Sequence, residues 1–338
     1  MQITIGAKRC VASIFYHCQS IQKKLQRLGC DSYCILMYHR IARPDESNMF
    51  IQPGMFVTPE TFEMHLQALL SETTVLSLDE LIDSVRRGAP RTSTRPLCAI
   101  TFDDGWRDFY DNAYPLLKSL NVPATVYLPT NFIGTDRWFW TDRFAFLWKH
   151  KKRFDLKSPN PILKELARIG GPFESQIEKA IALLKKQPSD VIGPFLDELE
   201  IACGDSSGIP GRAFLNWQEV KEMRSSGLIA FGSHTAEHVI LTAIDEKEAQ
   251  NQLRLSRQKL IDENVVDARS VSFCYPNGNY NAPIAQLVRE AGYSCAVTTK
   301  KGWNSASSDP FALKRVGMHQ DIAATKPMFF SRLAGIAG

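Results

Sequence analysis

Two stretches of this 338-residue chain carry residues whose types and spacing can do chemistry. In Thr101-Phe102-Asp103-Asp104-Gly105, two carboxylates stand together after an apolar run, and Gly105 lets the chain turn sharply. Adjacent carboxylates repel each other, and a bound cation is the usual compensation. The plainer alternative is an Asx-type turn or a helix cap. In Ser233-His234-Thr235-Ala236-Glu237-His238, the histidines are four apart. On a helical turn that spacing puts both imidazoles on one face, able to reach one ion. The competing reading is two surface histidines at a strand–helix junction. Only seven histidines occur in the chain, so two falling here favours the ion. Glu237, between them, reads as exposed.

Taken together, one carboxylate and two imidazoles supply three ligands and leave a fourth position for water and substrate. That is the pattern of a hydrolytic metal site. The other carboxylate is then free to act as general base on the water.

The elements that must position these residues follow from the apolar pattern. Residues 33–38 and 97–102 are continuous apolar runs, the mark of strands buried on both faces. The first ends at His39-Arg40 and the second runs into Asp103. Further strands are expected at 124–128, 228–231, 270–274 and 295–298. Between them, Thr58 and Pro59 open a helix with an apolar stripe of Phe62, Leu66, Leu69 and Leu70. Ser77 opens another over 78–85 that Gly88 ends. Helices are also expected over 110–120, 218–225, 245–262 and 282–291, with Asn216-Trp217 at one helix start, where Trp217 can line a groove. This alternation predicts an α/β fold of parallel strands with crossover helices. Its active site belongs at the C-terminal ends of the strands.

Residues 135–210 break the rhythm. An aromatic cluster (Trp138, Phe139, Trp140, Phe144, Phe146, Trp148) precedes charged helical stretches, which reads as a helical insertion. Trp138 and Trp140 read as packing for it, with stacking on sugar rings as the alternative.

Composition narrows the rest. With 44% hydrophobic and 22% charged residues the chain has an ordinary globular profile. A net charge of +4, spread over mixed signs, argues against a nucleic-acid partner. The basic run at 149–153 reads as a solvated helix end. The eight cysteines form no C-x-x-C pair, and a reduced, cytoplasmic protein is the simpler reading. Residues 1–32 read as an N-terminal helical segment. Within it, 11–28 can form an amphipathic helix for peripheral membrane contact. Its apolar stretch is too short for a convincing signal peptide. Oligomeric state leaves no mark in the sequence.

With T-F-D-D-G, S-H-T-x-x-H and the Phe273-Cys274-Tyr275-Pro276-Asn277-Gly278 segment in order, the chain resembles the polysaccharide deacetylases of carbohydrate esterase family 4, the NodB-homology domain. Residues 36–40, 56–65 and 313–316 resemble a bacterial branch of that family. The likeness puts the domain at 33–330, interrupted by the insertion. It implies a distorted (β/α) barrel of about seven parallel strands. It implies Asp103 as general base and Asp104, His234 and His238 as ligands of a divalent metal. The metal would be zinc, with cobalt, nickel or manganese tolerated. Tyr275, before Pro276, lies where the family polarises an oxyanion with a backbone amide.

Two departures matter. The family arginine of R-x-P-[FY] is absent, because Cys274 and Tyr275 stand before Pro276. Arg315 or Arg40 must then orient Asp103. The family also presents a late histidine as general acid. His319 is expected in that role, with His39 as second candidate. His17, His65 and His150 read as ordinary surface or helix residues. The expected activity is metal-assisted removal of acetyl, foremost N-acetyl, from a polysaccharide or lipid-linked saccharide. O-deacetylation, a small-molecule amidase and a catalytically weak glycan-binding relative are the alternatives.

Overall fold

A strand that is apolar on both faces needs cover on both, and a closed barrel wrapped in helices provides it. The computed structural model describes residues 20–44, 51–52, 54–87, 95–149, 160–187, 189–203 and 211–336. Strands in chain order are β1 (Ser32–Tyr38), β2 (Arg40–Ile41), β3 (Phe56–Val57), β4 (Thr74–Val75), β5 (Leu97–Phe102) and β6 (Ala124–Leu128). They continue with β7 (Ile229–Ser233), β8 (Ser272–Cys274), β9 (Cys295–Lys301), β10 (Asn304–Ser305) and β11 (Leu313–Gly317). Seven of them close in the order β1-β11-β9-β8-β7-β6-β5, and β5 returns to β1. All seven are parallel. The closing register runs from Tyr33 opposite Leu97 to Tyr38 opposite Phe102. The expected (β/α) barrel is therefore present, with β4 beside β5 and β10 antiparallel to β1.

The barrel interior is packed. Tyr33, Ile35, Ala99, Tyr127, Cys274, Val297 and Leu313 meet there with Leu78, Leu81 and Ile82 of the helix Leu78–Arg86. That helix therefore seals the barrel. Leu81 is fully buried, and cutting such a side chain to alanine costs about 2–5 kcal/mol. Gly232 faces Tyr127 so closely that a Cβ there would lie 2.6 Å from the ring. The bulky tyrosine is accommodated because that strand position carries no side chain.

Local signals explain the helices. Thr58 caps Pro59–Glu72 by accepting from the Thr61 amide, with Pro59 in the first turn. Ser77 and Glu80 form a capping box on Leu78–Arg86, and Asn216 and Glu219 form another on Trp217–Ser225. Asp245 caps Glu246–Asp262, and Asn281 caps Ala282–Glu290. The helix expected over 110–120 instead begins as a π-turn, Phe109–Ala113, and continues as Tyr114–Ser119.

The chain divides into two compact units. One comprises residues 1–43, 53–135 and 214–338 and contains the barrel. The other comprises 44–52 and 136–213, a little wider than the expected insertion and with a short second piece. It holds the helices Trp140–Lys149, Pro161–Ala167, Phe173–Leu184 and Ser189–Cys203. Within it Phe144 stacks on Trp148 at 5.4 Å, and the Trp138 indole donates to Gly211 O at 3.3 Å. Trp138 is a buried packing residue of this unit.

The N-terminal helix is Ser20–Asp31, with Ile21 and Leu25 buried. Residues 11–19 of the expected amphipathic helix, His17, Gly88 and residues 150–153 of the basic run, His150 included, lie outside the described residues. Among the described residues, no helix is long and apolar enough to cross a membrane.

Candidate active site

Asp103 and Asp104 leave the C-terminal end of β5. The Asp103 amide donates to Tyr38 O at 3.0 Å, which ties the top of β5 to β1. The chain then turns through two left-handed residues, Asp104 (φ 75°) and Gly105 (φ 64°). A Cβ on Gly105 would lie 2.8 Å from Leu128 Cδ2, so only glycine fits the turn. Asp104 holds a conformation that costs a non-glycine residue about 1–3 kcal/mol, and such strain collects at functional sites.

The two carboxylates have different partners. Arg315 of β11 binds both oxygens of Asp103, Nη1 to Oδ1 and Nη2 to Oδ2, each at 2.7 Å. Its other donors reach Thr298 O (2.8 Å), Thr101 Oγ1 (3.0 Å) and the Cys274 sulfur (3.2 Å). Burial alone would raise the Asp103 pKa, but the Arg315 charge and hydrogen bonds, with His39 behind them, hold it below the ordinary value. His39 Nε2 lies 3.8 Å from Asp103 Oδ2 and is partly exposed. Arg40 is not the orienting group. Its Nε binds Asp108 Oδ2 at 2.7 Å, and its guanidinium lies 4.3 Å over the Trp106 ring.

Asp104 turns to the histidines. Its Oδ1 lies 3.4 Å from His234 Nε2 and 3.2 Å from His238 Nε2. Its Oδ2 accepts the Trp106 indole N–H at 3.0 Å. His234 Nδ1 lies 2.8 Å from Cys274 O and must donate to it, which leaves Nε2 as the lone-pair nitrogen in the neutral ring. A lone pair then faces a carboxylate oxygen, an arrangement that asks for a positive charge between them. Burial opposes charge on His234, yet the Cys274 sulfur and the Asp104 and Asp103 carboxylates outweigh it and push its pKa well above the ordinary value. Burial also works against ionised Asp104, and the two histidines overcome it, pulling its pKa far down. His238 goes the other way, lowered by burial.

The donor set fits a divalent metal. The ligand atoms of Asp104, His234 and His238 lie within 4.8 Å of one another. A tetrahedron with metal–ligand bonds of about 2.0–2.1 Å has edges of about 3.3–3.4 Å. The two carboxylate–imidazole separations match that edge. Asp103, His234 and Cys274 form a second cluster, but Arg315 already occupies Asp103 and touches the sulfur.

The histidine pair does not sit on a helical turn. It lies in a loop after β7 in which Thr235 (φ 63°) and His238 (φ 54°) are left-handed. Gln252 Oε1 holds that loop by accepting the Ala236 and Glu237 amides. Glu237, expected to be exposed, is half-buried and accepts from Asn131.

The remaining expected residues separate. Tyr275 is buried; its amide is donated to Val297 O (3.3 Å) and its hydroxyl to Phe311 O (2.9 Å), so neither faces a substrate. Pro276 begins the turn that follows, and Asn277 is left-handed in it. Trp217 is half-buried, with Lys259 Nζ 5.2 Å above its ring and Gly134 of the loop after β6 against its edge. His319 follows β11 and pairs through Nδ1 with Asp321 Oδ1. A Cβ on Gly54 would lie 3.8 Å from its ring. His65 is no surface residue: it is fully buried, bonded to Tyr38 Oη and Ala323 O. Trp106, which holds Asp104, was not singled out by the sequence; its place directly after Asp-Asp-Gly was the available signal.

Barrel and site together describe a hydrolase of the carbohydrate esterase kind, and comparison with known proteins agrees. The family model described as Polysaccharide deacetylase matches residues 91–296, and the chain belongs to that family. It is 23% identical to the putative polysaccharide deacetylase YxkH of Bacillus subtilis over 83% of this chain and 70% of that protein. It is 35% identical to the poly-beta-1,6-N-acetyl-D-glucosamine N-deacetylase of Staphylococcus epidermidis, over 31% of this chain and 38% of that relative's length. Among solved structures, IcaB from Ammonifex degensii superposes with a TM-score of 0.58 at 17% identity, covering 90% of this chain and 96% of that one. The Streptococcus pyogenes deacetylase PplD gives 0.56 at 20% identity, covering 86% and 94%. These structural likenesses concern the fold.

Proposed function

We propose that this chain is a divalent-metal-dependent deacetylase acting on N-acetyl groups of an amino-sugar polymer or lipid-linked saccharide. The observation that carries the reading is the convergence of Asp104, His234 and His238 beside an Asp103 whose carboxylate Arg315 fixes. The similarity to an N-deacetylase of poly-N-acetylglucosamine supports the choice of substrate class.

Asp104 Oδ1, His234 Nε2 and His238 Nε2 would hold the metal, zinc first among those the donor set suits. When bound, it supplies a Lewis acid that polarises the acetyl carbonyl and acidifies water. Asp103 takes the proton of the attacking water. Arg315 keeps that carboxylate ionised and oriented, so no reorganisation is needed at the moment of reaction. With the Tyr275 amide spent on Val297 and no N–H on Pro276, the oxyanion-stabilising amide of this loop falls to Asn277. His39, beside Asp103, delivers a proton to the leaving amine. A second reading gives that step to His319, favoured by its bond to Asp321, which would fix the tautomer.

Arg315 weighs against a catalytically inert relative, since it stands in for the arginine missing before Tyr275. Cytoplasmic or membrane-surface action, with nascent or lipid-linked glycan as substrate, belongs to the same proposal; cell fractionation tests it. The decisive experiment is acetate release from a panel of N- and O-acetylated saccharides, with and without chelator. New primary amine together with chelator-sensitive acetate is the expected result. Release that a chelator leaves untouched, or none from any saccharide, overturns the proposal.

A further inference from the structure

The Asp104 carboxylate uses its two oxygens for different purposes, and the residue that enforces this is Trp106. Oδ1 faces His234 and His238, while Oδ2 accepts the Trp106 indole N–H at 3.0 Å. The indole is itself held on both faces. The Arg40 guanidinium lies 4.3 Å over the ring, and Phe214 stacks against it with centroids 4.6 Å apart and planes 23° from parallel. Arg40 is anchored in turn by Asp108, whose Oδ2 takes Nε and whose Oδ1 takes the Ile41 amide at 3.0 Å. Among the described residues Arg40 Nη1 has no hydrogen-bond partner, and Asp108 and the indole face hold the guanidinium. Trp106 is 2% exposed and bridges to Phe214 through the backbone as well. The ring has no room to swing its N–H elsewhere.

We propose that Trp106 is a positioning residue that keeps Asp104 monodentate and thereby sets the affinity and coordination preference of the metal site. This rests on the metal reading given above. A carboxylate with both oxygens available can chelate one ion and raise its coordination number. One with an oxygen already bound offers a single donor, which suits the small coordination number left by two imidazoles and an open position. Outer-shell partners of this kind typically change metal affinity by about 10–100-fold.

The test is W106F in the full-length protein, loaded with cobalt(II) as the probe. Phenylalanine keeps a ring between Arg40 and Phe214 and deletes the N–H. The expected result is a cobalt affinity about 10–100-fold weaker by chelator competition. The visible absorption should also weaken, the signature of added ligands around the ion, while the melting temperature of the metal-free variant stays close to wild type. A second measurement needs no variant. In cobalt-loaded wild type, one exchangeable indole proton among those of the six tryptophans should be strongly shifted by the paramagnetic ion. Equal affinity and equal spectra in W106F, or no shifted indole proton in wild type, overturn the inference. A wild type that takes up no cobalt, zinc or nickel brings down the metal reading itself, and this inference with it.

Discussion

Arg315 of β11 reaches past β1 to grip both carboxylate oxygens of Asp103, at the end of β5, at 2.7 Å. Both side chains are buried, and the guanidinium has no exposed surface. A planar fork matched to a carboxylate fixes both its position and its charge, which a single point charge does not.

Substituting lysine tests that distinction. R315K retains the positive charge but loses the fork, and a misplacement of about 1 Å costs on the order of 100-fold in rate. The expected result is a kcat lower by about that factor with KM little changed. R315M leaves a buried carboxylate unpaired and should lower stability by about 3–5 kcal/mol, read by urea denaturation.

The division of labour between the adjacent aspartates is separable by metal analysis. D103N should retain wild-type metal content while acetate release falls by about 100- to 10,000-fold. D104N should lose both, because it removes a ligand. Equal metal loss in the two variants would show that the roles are not divided as proposed.

The histidines near the mouth differ in what they touch, His39 approaching Asp103 and His319 pairing with Asp321. H39Q should reduce kcat by about 100-fold or more, and H319Q by about tenfold or less. A fluorinated or nitrophenyl leaving group that needs no protonation should rescue H39Q selectively. The reverse pattern assigns proton delivery to the His319–Asp321 pair.

His65 predicts acid sensitivity of the fold. Burial pushes its pKa down from 6.5 to about 4, against the opposing pull of Ala323 O. Its Nε2–H donates to Ala323 O and its Nδ1 accepts from Tyr38 Oη, so the buried ring is neutral. Above about pH 6.5 neither state is protonated and this contribution is fully present. As pH falls from 6.5 to 4 the unfolded chain binds a proton that the folded one does not, and stability declines. The loss approaches about 3 kcal/mol at the lower end, at 1.36 kcal/mol per pKa unit. Denaturation midpoints across that window should slope for wild type and flatten for H65Q, which starts from a lower plateau because it disturbs two buried hydrogen bonds.

Much of the barrel was legible because its signals are local. The runs 97–102 and 124–128 are strands to the residue, since an unbroken apolar stretch bounded by turn formers has few alternatives. Thr58, Ser77 and Asn216 announce helix starts through side chains that bond amides three residues on. The His234–His238 spacing misled about backbone shape. A separation of four suits a helical turn, but Gln252, from a helix that follows, holds the segment open with two left-handed residues. The role of Arg315 could be narrowed to two candidates and no further, because its pairing with Asp103 spans 212 positions and depends on how the barrel closes. Tyr275 illustrates the same limit: its amide is consumed by β9, a partner that no motif encodes.

Barrel closure has a consequence for timing. β1 lies between β5 and β11, so the first and last strands of the ring are neighbours. Asp103 emerges early in synthesis, and its clamp is carried by the final strand. A nascent chain that has not yet delivered residues 313–317 already carries Asp104, His234 and His238 but lacks the guanidinium that pairs with Asp103. The Asp103–Arg315 ion pair therefore forms only once β11 has been made and has docked between β1 and β9.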